Sequence, residues 1–519
     1  MPPKPSEGGQ VSEPALNPRR WAILAVLLTS FLLTVLDATI VTIAFRALAD
    51  PVDGLGASAD QLQWVVNGFT LVYAGLLLAW GVLGDRLGHR KVLLIGLVVF
   101  GVSSVLAAFA HSPGELVLWR VVMGAGGAAI PPTTLATISH VFGDKERPRA
   151  IGYWVSAAGI AAVVAPVLGG FLIQFAWWGS IFLVNGPIVL AAIVLTVLMV
   201  PESTSTARKL DVPGVVLSVA WSTALVYGII QAGNLATIAD PRVYVPLVLG
   251  VVLLVVFVLV ELRSAAPALD LRLVSDRRVA GATSAVSLAF FVNFGVPFFL
   301  IFYLQSVLGV SPLMTGLAIL PLALALAVFS PRSATLSAKF GTKNVLVGGL
   351  LLLAVGVAIF ALLDQNSPLW PVFVADFLVG LAMANVMPPA TTTIMSAVPR
   401  ERAGVGSALT NMGRSIGGAI GIAVLGSLLT VVYRNGVEPA LSVLPEQSRA
   451  AAGDSIEATK AAAAGLGGNQ GTDLFAAGAD AFSVAMRTTA LAAAGAAVLA
   501  AIVVLVVVPA RERRTAEVS

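Results

Sequence analysis

Fourteen apolar runs, each long enough to cross a lipid bilayer, constrain this chain more than any other feature. About 20 apolar residues make a helix that spans the hydrocarbon layer. Backbone groups in lipid are satisfied only within helices or closed barrels. By that measure the runs lie near 21–45, 61–81, 91–110, 114–139, 150–174, 180–200, 212–232, 243–261, 281–305, 313–337, 344–363, 369–394, 403–432 and 485–508. Only 11% of the residues are charged, against about a quarter in soluble proteins. The expected class is an all-α polytopic membrane protein.

Charge placement tests the count. With both termini on one side, 23 of the 31 Lys and Arg fall on that side. Six fall opposite (Arg46, Arg242, Arg434, Arg449, Lys460 and Arg487), and Arg120 and Arg414 lie within runs. Excess Lys and Arg mark the cytoplasmic side, so both ends are expected to be cytoplasmic. The net charge of +4 is explained by those loops and gives no reason to expect a nucleic-acid partner. There is no Cys, and His89, His111 and His140 do not cluster, so no metal site is expected. No cleavable leader is expected ahead of the first run. Residues 434–483, rich in Ala, Gly and acids, are expected to form a mobile external loop without a catalytic role.

The chain repeats itself at about half its length. Met123-Gly-Ala-Gly-Gly-Ala-Ala-Ile-Pro131-Pro132-Thr-Thr is echoed by Gly380-Leu-Ala-Met-Ala-Asn-Val-Met-Pro388-Pro389-Ala-Thr-Thr, and Glu146-Arg147 by Glu401-Arg402. The expected organisation is a cytoplasmic tail 1–20, a six-helix half 21–200, two inserted helices in 201–262, a second six-helix half 263–510 and a tail 511–519. Parallel halves around a central path are a transporter architecture.

Four stretches carry a family resemblance. Gly81-Val-Leu-Gly84-Asp85-Arg86-Leu-Gly88-His89-Arg90-Lys91 is similar to the loop between helices 2 and 3 of the major facilitator superfamily. Leu36-Asp37-Ala-Thr39-Ile40-Val41 resembles the first-helix signature of its fourteen-helix drug:proton antiporters. Arg120-Val-Val-Met-Gly124-Ala-Gly126-Gly127-Ala128 is similar to the superfamily's fourth-helix segment. Ala161-Ala-Val-Val-Ala165-Pro166-Val-Leu-Gly169-Gly170 resembles the antiporter motif of the fifth, with Ala161 and Ala165 in place of its leading glycines. In the second half the acid of the helix 2–3 turn is replaced by Ala338.

Only Asp37 and Asp376, among all Asp and Glu, lie well inside the runs. Ionisable groups in lipid are expensive and mark transport pathways. Asp37 is the expected proton carrier, the alternative being a structural acid bonded to backbone. Arg120 lies at similar depth in the same half and is expected to tune it, or else to snorkel to the interface; the resemblance also implies a proton-relay role for this Arg. Asp376 is either a second proton or cation site or an interfacial acid. Asp85 is expected to favour a helix N-terminus of the other half, with Arg86 and Arg90 seeking acids such as Asp144, a cytoplasmic gate that also includes Gly84 and Gly88. The alternative is a role in topology alone. Phe290, Phe294 and Phe298, with Asn293, form one stripe that either packs or lines a substrate cavity. Tyr153, Asn411 and Arg414 are further cavity candidates, and the lack of an acid in the helix of Arg414 argues against dications.

The resemblance therefore implies a proton-coupled exporter of drugs or antibiotics, hydrophobic and often cationic small molecules, in the bacterial plasma membrane. It is expected to act as a monomer driven by the proton gradient, without cofactor or enzymatic activity. Alternatives are an exporter dedicated to one antibiotic, metabolite or lipid, a proton-coupled importer, and a non-transporting sensor.

Overall fold

The computed structural model describes residues 18–50, 52, 54–202, 211–235, 240–264, 276–399, 403–453 and 455–509. Residues 1–17 and 511–519, the basic residues Arg208, Lys209, Arg272 and Arg400, and the Glu401-Arg402 echo lie outside the described residues.

Fourteen long helices carry the fold. They are α1 (Arg20–Ile43), α2 (Ala59–Leu87), α3 (His89–Ala108), α4 (Pro113–Val141, interrupted at Ala128 and Ala129), α5 (Arg147–Phe175), α6 (Ser180–Met199), α7 (Val212–Leu235) and α8 (Pro241–Arg263). The second series comprises α9 (Arg277–Phe302), α10 (Pro312–Phe329), α11 (Thr342–Phe360), α12 (Trp370–Ala397), α13 (Ala403–Val437) and α14 (Gly468–Val507). No strand occurs among the described residues. Among the described residues, thirteen helices are long and apolar enough to cross a membrane. Helix α13 is 35 residues long, carries Arg414 and is rich in glycine.

Local chemistry sets the helix ends. Ser58 caps α2 in a reciprocal pair with Gln61, and Ser112, ahead of Pro113, caps α4 through the Glu115 N–H. The α2–α3 turn pivots on Gly88 at φ +98°, and the turn before α11 on Gly341 at φ +84°. Side chains avoid that backbone region. The internal repeat is thus visible as the same turn in each half.

Within the first half, α1 packs on α5 and α6, and α4 on α2 and α3. Within the second, α9 packs on α13 and α14, and α12 on α10 and α11. The halves meet along two seams, α2 with α13 and α5 with α10. Helices α7 and α8 pair with each other, and α7 lies on α2 and α13. Leu77, Leu78, Trp221, Phe257, Val405 and Met412 form the separate apolar cluster that joins this pair to both halves.

Small residues allow these approaches. A Cβ on Gly152 would fall 2.7 Å from Pro331 Cα, and one on Gly159 2.7 Å from the Ala323 carbonyl oxygen. The α5–α10 seam therefore depends on Gly152 and Gly159. Ala161 and Ala165 are fully buried, and Gly169, on the same face, is approached by Ile40 of α1. Gly170 faces open space, and the Pro166 side chain lies outside the described residues.

The expectation of a mobile loop over 434–483 is overturned. Helix α13 continues to Val437, and residues Glu438–Val443, Glu446–Ala452 and Ile456–Leu466 form short helices. The last long helix begins at Gly468, not near 485. Leu441, Leu444, Ile456, Ala463 and Leu474 are buried in the main core. Glu457 accepts from Ser306 Oγ at 2.6 Å, and Tyr433 Oη meets Thr459 Oγ1 at 2.6 Å. Alanine-rich composition looks like a linker, yet Ala has the best helix propensity, and here it packs closely.

Candidate functional site

Asp37 and Arg120 meet in the middle of the first half, both fully buried. The Arg120 Nη1 donates to Asp37 Oδ2, and its Nε donates to the Val65 carbonyl of α2 at 3.0 Å. Its guanidinium lies 4.3 Å from the Phe69 ring centroid and 5.8 Å from that of Phe182. The snorkelling alternative for Arg120 and the backbone-bonded alternative for Asp37 therefore do not describe this geometry. A Cβ on Gly124 would fall 2.5 Å from the Phe69 carbonyl oxygen, so the glycines of α4 bring α2 against the ion pair.

Two partners of this pair have no role in the sequence reading. Asn185 Nδ2 donates to Asp37 Oδ1 at 3.2 Å and lies 3.1 Å from Ser104 Oγ. Ser104 in turn donates to the Phe182 carbonyl at 2.8 Å. Both are fully buried. The only sequence signal was an amide and a hydroxyl inside apolar runs, and buried polar groups need partners. The carboxylate is thus held by α1, α3, α4 and α6 together, with one cation and one neutral donor.

Asp376 stands apart. It is buried, 3% exposed. Its Oδ2 has no hydrogen-bond partner among the described residues.

At the end of the bundle that carries the basic loops, Asp85 joins the two halves. Oδ1 accepts from the Gly404 N–H at 2.8 Å and Oδ2 from the Val405 N–H at 3.2 Å, both at the start of α13. His89 Nε2 lies 3.0 Å from Asp85 Oδ1, and the His89 and His140 rings are 5.4 Å apart. Negative charge at a helix N-terminus is favourable. Ser407 Oγ adds a bond to the Pro131 carbonyl at 3.2 Å. This end is shut. The expected pairing of Arg86 and Arg90 with Asp144 is corrected. Arg86 is exposed, Arg90 donates to the Val197 carbonyl at 2.6 Å, and Asp144 pairs with Arg147 at 2.7 Å. Arg147 is only three positions from Asp144, and packing brings the Val197 carbonyl to Arg90. Gly84 leaves room for the His89 ring. Nearby, Arg20 binds Glu146 at 2.6 Å and holds that carboxyl below its ordinary value, chiefly through the hydrogen bond.

The stripe on α9 packs toward α13 within the second half. Phe290 and Phe294 are 5.5 Å apart, and Phe294 occupies the space left by Gly418 of α13. The Arg414 guanidinium lies 5.6 Å from the Phe290 ring and beside the Tyr73 hydroxyl of α2. Asn293 has its Oδ1 buried and unpartnered among the described residues. The Phe298 side chain lies outside them. Two cavity candidates are corrected. Tyr153 packs edge-on to Trp21, with ring centroids 6.0 Å apart, and accepts from Arg149, at the basic end. Asn411 is 1% exposed and donates to the Ser407 carbonyl of its own helix at 3.0 Å.

The Major Facilitator Superfamily profile matches residues 22–422. The chain is 36% identical to the puromycin resistance protein pur8 of Streptomyces alboniger, covering 82% of this chain and 86% of that one. It is 34% identical to the multidrug efflux pump LfrA of Mycolicibacterium smegmatis (92% and 94%), and 33% identical to the tetracenomycin C resistance and export protein of Streptomyces glaucescens (82% and 79%). Among solved structures, the human organic anion transporter MFSD10 superposes with TM-score 0.62 at 15% identity, over 94% of this chain and 100% of that one. The proton:xylose symporter XylE superposes with TM-score 0.60 at 14% identity, over 93% and 94%. At such identities these two speak to the fold alone. A profile match over most of the chain and relatives at this identity and coverage make it a multi-pass membrane protein that belongs to the major facilitator superfamily.

Proposed function

We propose that this chain exports aromatic drugs or antibiotics across a bacterial plasma membrane in exchange for protons, with the basic end in the cytoplasm. The observation that carries the reading is the buried Asp37–Arg120 pair and its attachment to α2. Protonating Asp37 removes the negative charge that Arg120 faces. Arg120 remains bonded to Val65 and stacked on Phe69, so its displacement is transmitted to α2. The same helix carries Tyr73 at the seam between the halves and Asp85 at the closed end. One rigid helix thus links the proton carrier, the drug path and the gate, which is what coupling between two states requires. Asp376, buried with one oxygen unpartnered, is the second group placed to carry a proton.

The named relatives are resistance and export proteins for puromycin, for tetracenomycin C and for several drugs, which supports export over import. The test is uncoupler-sensitive efflux of fluorescent aromatic drugs, ethidium among them, by wild type and Asp37→Asn at matched expression. Efflux that depends on the proton gradient and disappears in the variant is expected. Efflux that survives the substitution moves the proton site to Asp376, and wild-type efflux insensitive to uncoupler refutes proton exchange.

A further inference from the structure

The second cation inside the bundle has no acid beside it among the described residues. Arg414 lies 11 residues into α13, about 17 Å from its start at 1.5 Å per residue. Among the described residues no carboxylate lies within 4.0 Å of it. Its neighbours are the Phe290 ring at 5.6 Å and the Tyr73 hydroxyl, which also lies beside Thr34. These residues belong to α13, α9, α2 and α1, so the guanidinium sits where the two halves face each other. It is partly exposed there. The acid deepest in the first half, Asp37, is committed to Arg120.

A guanidinium in a low-dielectric setting is costly without a counter-charge, and Arg with an adjacent aromatic face suits a planar anion. We infer that Arg414, Tyr73 and Phe290 form a subsite for an acidic group borne on an aromatic ring, a carboxylate or a phenolate, so that an aromatic acid binds more tightly than its neutral analogue. This rests on the exporter reading and narrows its substrate class. Arg414 supplies the charge, Tyr73 a hydroxyl, and Phe290 with Phe294 the stacking surface. The subsite also touches the proton site. Phe69 stacks on Tyr73 with ring centroids 5.6 Å apart, and Arg120 lies over the other end of that stack. Tyr73 and Phe69 therefore stand between the two arginines.

The test uses the purified full chain and two ligands of nearly the same shape, anthraquinone-2-carboxylate and anthraquinone-2-carboxamide. Binding is read by calorimetry at neutral pH. Wild type is expected to bind the carboxylate at least tenfold tighter, as charge-assisted hydrogen bonds exceed neutral ones. Arg414→Gln is expected to bring the ratio close to one, and Arg414→Lys to keep most of it. Equal binding of both ligands by wild type, or an unchanged ratio in Arg414→Gln, overturns the proposal. If Arg414→Gln does not fold, the wild-type ratio and Arg414→Lys decide. Uncoupler-sensitive efflux separates this proposal from the exporter reading. Charge-selective binding without efflux of any compound refutes export and keeps the subsite, whereas efflux without charge selectivity refutes the subsite and keeps export.

Discussion

Asp85→Asn probes how the basic end is held shut. In the closed arrangement the carboxylate accepts from Gly404 N at 2.8 Å and from Val405 N at 3.2 Å, and it is 8% exposed. Asparagine has nearly the same shape but one acceptor oxygen, and its amino group would face the second N–H. One hydrogen bond to a charged group contributes about 1.5–3 kcal/mol. Negative charge at a helix N-terminus adds about 0.3–1 kcal/mol. The expected loss is about 2–3 kcal/mol, all of it from the closed state, because the contact exists only when α2 and α13 meet. At about 1.4 kcal/mol per factor of ten, the closed-to-open ratio should fall about 30- to 150-fold. The chain contains no Cys, so Lys91→Cys and Lys339→Cys place two spin labels without background. Both positions are exposed at the basic end, on opposite halves. Pulsed electron–electron distance measurements should show the short separation giving way to a longer one in Asp85→Asn. A ratio that changes less than about threefold would refute the assignment of Asp85 as the latch, given the magnitude above.

Two further outcomes follow from the geometry. Glu146 is held below its ordinary value near 4.5 by Arg20, so the pair stabilises the fold above the unfolded-state value and loses that effect as pH falls through the lower, folded one. Wild type and Glu146→Gln should therefore differ slightly in apparent Tm at pH 7 and converge below about pH 4, by scanning fluorimetry; a gap unchanged at pH 3 would contradict the pairing. Gly88→Ala puts a Cβ 2.3 Å from Glu202 Oε1 at φ +98° and should cost about 1–2 kcal/mol. It should lower yield and apparent Tm, while Gly114→Ala, with nothing within 4 Å of its Cβ, should leave both unchanged.

The residues that had to be charged inside lipid were legible, because an acid or an arginine in an apolar run has no inexpensive alternative explanation. Asp37, Arg120, Asp376 and Arg414 were all found that way. Their neutral partners were not. Asn185 and Ser104 are unremarkable in composition and become important only because α3 and α6 fold against α1. The turn between α2 and α3 was half legible. The spacing of glycines, acid and bases marked the turn, but the partners of Arg90 and Asp144 were misassigned, since many acids and bases crowd the same loops and only packing selects among them. Tyr153 and Asn411 show the same limit: a polar group in an apolar run can face a path or its own helix.

The apolar runs and the basic loops by themselves determined a helical, bilayer-spanning chain, since lipid leaves the backbone few other choices and short basic loops stay on the cytoplasmic side. The halving of the chain was also written there, in a repeated run of small residues and prolines. What only the tertiary structure decided was which side chains share a space: Arg120 on Asp37, Arg414 without an acid, and the alanine-rich 434–483 segment folded onto the second half. Those relations join residues tens to hundreds of positions apart, and the small residues that permit them act by what they let approach, which a linear sequence does not state.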